Sequence, residues 1–156
     1  MGHDITATRP DVDLDALREE YRLDEHDEEW FERYQEYQRL TQIAYNRRSA
    51  GDALNQVLYL ALGVMDEAYA GCSGNGTELE ISLQQLQTAK EILAAKDFTR
   101  LTRERNQVDV LMLLFSGREG DKDASSGDIS SEIEFIDDCL AFLKSSELPH
   151  VRIYFG

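Results

Sequence analysis

The sequence predicts an α+β fold: a small antiparallel sheet of about four strands covered by about four helices, with an acidic helical arm near the N-terminus. Three observations carry this expectation. Short segments near 3–9, 43–48, 77–81 and 151–155 alternate apolar and polar residues, as half-buried strands do. Longer segments near 52–62, 82–95, 97–115 and 131–144 repeat apolar residues at helical spacing. The final alternating run, Val151 to Phe155, follows every helix, and such a strand pairs into a sheet that already exists.

In chain order, residues 3–9 are rich in Thr and Ile and stop at Pro10. Residues 11–38 form the arm. Leu14, Leu17 and Tyr21 share one helical face, and Trp30, Tyr34, Tyr37 and Thr41 share another, with Phe31 beside them. A break near Leu23–Asp27 makes this a helical pair. Residues 42–49 fit either a continuation of the helix or a strand through Ile43, Tyr45 and Arg47; the strand leaves a cleaner helix start at Ser49–Asp52. Asp52 is placed to cap a helix with the stripe Leu54, Val57, Leu58, Ala61 and Leu62, ended by Gly63. A short turn, Val64 to Ala68, leads into Tyr69-Ala70-Gly71-Cys72-Ser73-Gly74-Asn75-Gly76. Gly and Asn tolerate positive φ, so this run makes tight turns and brings backbone amides close to whatever they face. After the strand at 77–81, Ser82 and Gln85 have capping-box spacing, and Leu83, Leu86, Ala89 and Leu93 face inward. Asp97 is placed to cap the helix that carries Phe98, Leu101, Val108, Leu111, Met112 and Phe115. Residues 116–128 read as a loop rich in Gly, Ser, Asp and Lys. Ser131 and Glu134 form a second capping box, opening a helix with Ile133, Ile136, Leu140 and Leu143 inward and Phe135, Cys139 and Phe142 alongside.

The 156 residues suit one domain with one core, and no repeat is visible. The charge is unusual: 31 acidic residues against 16 basic ones give a net charge of -15. That field opposes direct binding to nucleic acids and to anionic membranes. Lys90, Lys96, Lys122 and Lys144 are the only lysines. This composition suits a salt-rich cytoplasm, and equally an acidic soluble protein from an ordinary one. Cys72 and Cys139 make no disulfide framework, no segment has the length of a membrane span, and the first residues lack an apolar signal core. The expectation is a cytoplasmic protein.

Four constellations carry chemistry in principle. Arg47, Arg48 and Ser49 precede a helix start, where free amides and guanidinium forks suit phosphates and carboxylates. Gly71, Cys72, Ser73, Gly74, Asn75 and Gly76 would face them with further amides and a hydroxyl. The run is neither a P-loop nor G-x-G-x-x-G after a strand. Cys72 is a nucleophile only beside a base or at a helix N-terminus, and His3 and His150 come together if the first and last strands pair antiparallel. A metal site from His3, Asp4 and His150 has no supporting spacing. The arm is the fourth: twelve acids lie between Asp11 and Glu36. Glu28, Glu29, Trp30, Glu32, Tyr34 and Glu36 present acids and aromatics together, as a partner-binding surface or a solvated face.

Met1-Gly2-His3-Asp4-Ile5, Ile43-Ala44-Tyr45-Asn46-Arg47-Arg48-Ser49-Ala50, Tyr69-Ala70-Gly71-Cys72-Ser73-Gly74 and Val151-Arg152-Ile153-Tyr154-Phe155-Gly156 together resemble small uncharacterised proteins of phages and prokaryotic genomes. The resemblance covers about half the chain and transfers no activity. It implies a strand at 43–48 and a virus–host or defence setting. The expected function is therefore a non-enzymatic binder of a small anionic, nucleotide-like ligand, without metal or cofactor. The alternatives are an acidic module or inhibitor that engages a basic protein by imitating nucleic acid, and a hydrolase using Cys72.

Overall fold

A computed structural model describes residues 2–52, 54–95 and 128–156. The helix expected at 97–115, with its Asp97 cap, and the loop from 116 to 127 lie outside them. The described elements run β1 (Gly2–Thr8), α1 (Leu14–Glu20), α2 (Trp30–Thr41), β2 (Gln42–Ser49), α3 (Val57–Leu62), α4 (Met65–Ala68), β3 (Thr77–Ser82), α5 (Leu83–Ala95), α6 (Ser130–Ser146) and β4 (His150–Phe155). The fold is α+β, with one four-stranded sheet in the order β2-β1-β4-β3 and every neighbour antiparallel.

The topology follows from two strand pairs. β1 pairs directly with β2, and an Arg9 amide donating to the Thr41 carbonyl closes the base, so 9–41 is an excursion from a β-ribbon. β3 pairs with β4 in the same way, closed by Leu83 N–H to Pro149 O. Because Thr8 pairs with Gln42 and with Arg152, both excursions leave the same end of the sheet. The second supplies the core helices α5 and α6, while α3 lies between β2 and β3. The first is the acidic arm. The opposite end of the sheet holds Gly2, Ser49 and Phe155, and there the glycine run docks.

The core lies on one face of the sheet. His3, Ile5 and Ala7, Ala44 and Asn46, Ile81, and Val151, Ile153 and Phe155 point into it. α3 is apolar all round (VLYLAL) and every residue is buried, as such a helix requires. α5 contributes Leu86, Ala89, Ile92 and Leu93, and α6 contributes Phe135, Ile136, Cys139 and Leu143. Each large apolar side chain fully buried here contributes roughly 1.5–3 kcal/mol.

Local chemistry agrees with several expectations and corrects others. Ser82 and Gln85 do form the capping box, each bonding the other's backbone amide. Gly63 does end α3 in the left-handed region, at φ 72°. The helix after Asp52 starts later than expected, at Val57: the Asp52 carboxylate takes the Leu54 amide and caps a preceding turn. At α6 the expected Ser131–Glu134 box is absent. The Asp128 side chain accepts from the Ser130 amide and hydroxyl, which sets the helix start one residue earlier. The buried stripe of α6 is rotated accordingly: Phe135 and Cys139 are at its centre, while Ile133 and Leu140 are only partly buried.

Candidate functional site

The glycine run is a strap across the end of the sheet. Gly74 N–H donates to Gly156 O, Gly76 N–H to Phe155 O, and Asn75 N–H to Ala68 O, at 2.8–2.9 Å. The Asn75 side chain adds bonds to Glu67 O and from Thr77 N–H. Gly74 is obligatory: a Cβ there would lie 2.5 Å from the Phe155 carbonyl carbon and oxygen. Gly76 sits at φ 81°, where an L side chain is strained. Three amides expected to face a ligand are therefore consumed by the fold, and Ser73 Oγ donates to Gly74 O.

Beneath the strap lies an aromatic cluster that sequence reasoning did not assemble. His3, fully buried on β1, stacks on Tyr69 at 5.3 Å and 6°, and meets Tyr59 edge-on at 5.4 Å. Its Nδ1 shares a 2.8 Å hydrogen bond with the Tyr59 hydroxyl, and its buried Nε2 has no hydrogen-bond partner. Burial holds the His3 pKa below its ordinary value, against opposing influences from the Gly71 backbone and Asp4. The imidazole is thus a neutral core ring. The signal available in the sequence was Tyr69 at the head of the glycine run.

The two arginines part company. β2 alternates, so Arg48 joins Ala44 and Asn46 on the helix-covered face, and Arg47 joins Tyr45 on the other. Arg48 clamps Glu132 through one guanidinium edge, Nε to Oε2 at 3.0 Å and Nη2 to Oε1 at 2.6 Å. It also reaches the Asp52 carboxylate and Asp128 O. Glu132 is 1% exposed, so the pair is a buried tie between β2 and the start of α6. Arg47 remains 64% exposed, touching Asp4 at 3.7 Å. Arg47 and Arg48 therefore lie on opposite faces of the sheet. Ser49 is exposed at the end of β2.

The histidine expectations are corrected by the strand register. β1 and β4 are antiparallel, with Ile5 opposite Phe155, so His3 lies beside the Gly156 end while His150 pairs with Ser82 at the far end. That separates His3, Asp4 and His150 as a metal set, and no metal-holding cluster occurs among the described residues. Cys72 is exposed in the strap. The Cys139 thiol is buried, which pushes its pKa up to about 12.

The arm is a braced hairpin. Asp13 caps α1 by accepting from Ala16 N–H. Arg33 fills the turn beyond α1: Nε donates to Tyr21 O, Nη2 to Glu25 O and Nη1 to the Asp27 carboxylate, each at 2.8 Å. The Trp30 indole donates to the carbonyl of buried Leu23. Trp30 stacks on Tyr34 at 4.9 Å and 7°, and Tyr34 on Tyr37 at 6.4 Å. Outside this brace the hairpin is open. α1 buries no residue, α2 buries only Thr41, Glu28, Glu29 and Glu32 are exposed, and Phe31 is 61% exposed. Glu36 is held by Arg39 across one turn, which lowers its pKa.

No helix of the described residues is long and apolar enough to cross a membrane. The chain matches no protein-family model, no curated protein and no solved structure.

Proposed function

We propose that the protein is a non-enzymatic interaction module whose acidic hairpin engages a basic, nucleic-acid-binding surface on another protein. One observation carries the reading: the hairpin's bonds are spent on holding its own shape, while the Glu28, Glu29 and Glu32 carboxylates and Phe31 face solvent. A rigid row of acids meets a basic groove with little ordering cost. The stacked Trp30, Tyr34 and Tyr37 add half-buried aromatic area of the type that anchors interfaces. The anionic-ligand reading has less support, because Arg48 is committed to Glu132 and the strap amides to the sheet.

The test is displacement of a fluorescent DNA duplex from a panel of isolated basic DNA-binding domains, followed by anisotropy. The wild-type chain is expected to displace duplex from at least one domain. Glu28→Gln/Glu29→Gln/Glu32→Gln/Glu36→Gln should lose roughly tenfold or more in potency, the scale of steering by clustered charge. A control neutralising the exposed Glu67, Glu91, Glu134 and Glu147 should keep it. Equal losses from both sets would reduce the effect to net charge and sink the reading.

A further inference from the structure

The face of the sheet away from the core carries a second arrangement. Thr6 on β1 pairs with Tyr45 on one side and Tyr154 on the other, so two tyrosines flank a small residue in one row. Both are exposed, Tyr45 at 48% and Tyr154 at 43%. Twice the strand spacing puts them roughly 10 Å apart at the backbone. A flat group contacting a ring on each side needs about 7–8 Å.

Both rings are held. The Tyr45 hydroxyl donates to Asp4 Oδ1, which keeps the phenol protonated and its pKa raised. The Tyr154 ring lies against Gly156, where a Cβ would come within 2.8 Å of it. Each contact tips its ring toward the row that contains Asp4. Asp4 Oδ1 accepts from Tyr45 and lies 3.7 Å from Arg47 Nε, and the Asp4 side chain is 41% exposed. The floor of the notch is therefore Thr6, and a partly exposed carboxylate lies at one end of it, in the neighbouring row.

We infer that Tyr45, Asp4 and Tyr154 form a receptor for a cationic side chain, arginine or lysine, presented by a basic protein partner. Aromatic faces attract a cation through the ring quadrupole, and a phenol that donates to a carboxylate has a more electron-rich ring. The chain's net charge of -15 draws cations and repels anions at this face as elsewhere. Arg152 is paired with Glu78, while Arg47, 3.7 Å from Asp4 and 64% exposed, shares that carboxylate with an incoming cation. Glu78 lies opposite Tyr154, and with Arg152 it lines a cavity of about 290 Å³ shared with Val12, Asp13, Leu14 and Asp15 at the root of the arm. The notch thus adjoins the acidic hairpin. It rests on the proposed basic partner for its biological occupant, but its chemistry is tested separately.

The experiment is an NMR titration of the full chain, ring-labelled at tyrosine, with N-acetyl-arginine methylamide and, in parallel, with AMP. Saturable shifts at Tyr45 and Tyr154 are expected with the arginine derivative and not with AMP. Tyr45→Ala and Tyr154→Ala should each weaken binding about two- to fivefold, the exposed cation–π range. Asp4→Asn should weaken it further, while the fourfold Gln variant of the hairpin leaves it within twofold. Selective binding of AMP, or arginine shifts that survive both alanine variants, would overturn the notch. Failure of the wild-type chain to displace duplex from any domain, with the notch intact, would count against the hairpin alone.

Discussion

His3 shows how a single residue's neighbours set its chemistry. An imidazole at the second described position of an exposed-looking strand is in fact sealed between Tyr59 and Tyr69. Folding disfavours its proton, whereas the unfolded chain takes one up below its ordinary pKa of 6.5. The stabilisation from neutral His3 is therefore complete above that pH and is lost as the pH falls below it. His3→Phe keeps the stack and removes the titration. The stability gap between wild type and His3→Phe, from urea melts at about pH 7.5 and about pH 5, is expected to shift against the wild type in acid. A gap that does not change with pH would contradict a neutral, buried imidazole. Period-two alternation puts His3 on the face of Ile5 and Ala7, but its stacking partner lies 66 residues away and left no local mark.

At the scale of elements, the informative tie is between β2 and α6. Arg48 and Glu132 are 84 positions apart and meet in a bidentate, buried pair. Removing Arg48 leaves the Glu132 charge buried without its partner, which costs roughly 3–5 kcal/mol, whereas removing Glu132 leaves Arg48 still paired with Asp52. Arg48→Ala should lose about that much in denaturant melts and Glu132→Ala less, while Arg48→Met/Glu132→Leu loses much less than the two summed. Additive losses would show that the two charges do not depend on each other. The strand over 42–49 was legible in Ile43, Tyr45 and Arg47 as one of two readings. Alternation within that strand already implies that Arg47 and Arg48 face opposite ways. The partner of Arg48 was not legible, because Glu132 is one of 31 acids and its burial depends on how α6 is rotated.

For the whole molecule the dominant quantity is charge. A net charge of -15 acts against compaction, and much of it sits on one protruding hairpin. Raising KCl from about 0.1 M to about 1 M shortens the screening length from roughly 10 Å to roughly 3 Å. The melting temperature is expected to climb over that range, and to climb less in the variant with the four hairpin glutamates neutralised. A melting temperature indifferent to KCl would remove self-repulsion as a factor in stability.

The sequence by itself determined the α+β class, three of the four strands, the Ser82–Gln85 and Gly63 helix boundaries and the helical pair of the arm, and it left 42–49 open between helix and strand. Those features follow from periodicities and caps that act within a few residues. Only the tertiary structure decided the order β2-β1-β4-β3, the separation of His3 from His150, the burial of Arg48 and the placing of Tyr45 and Tyr154 around Thr6. The reason is physical. Strand register and helix rotation are fixed by contacts between segments far apart in the chain, and neither leaves a local pattern to read.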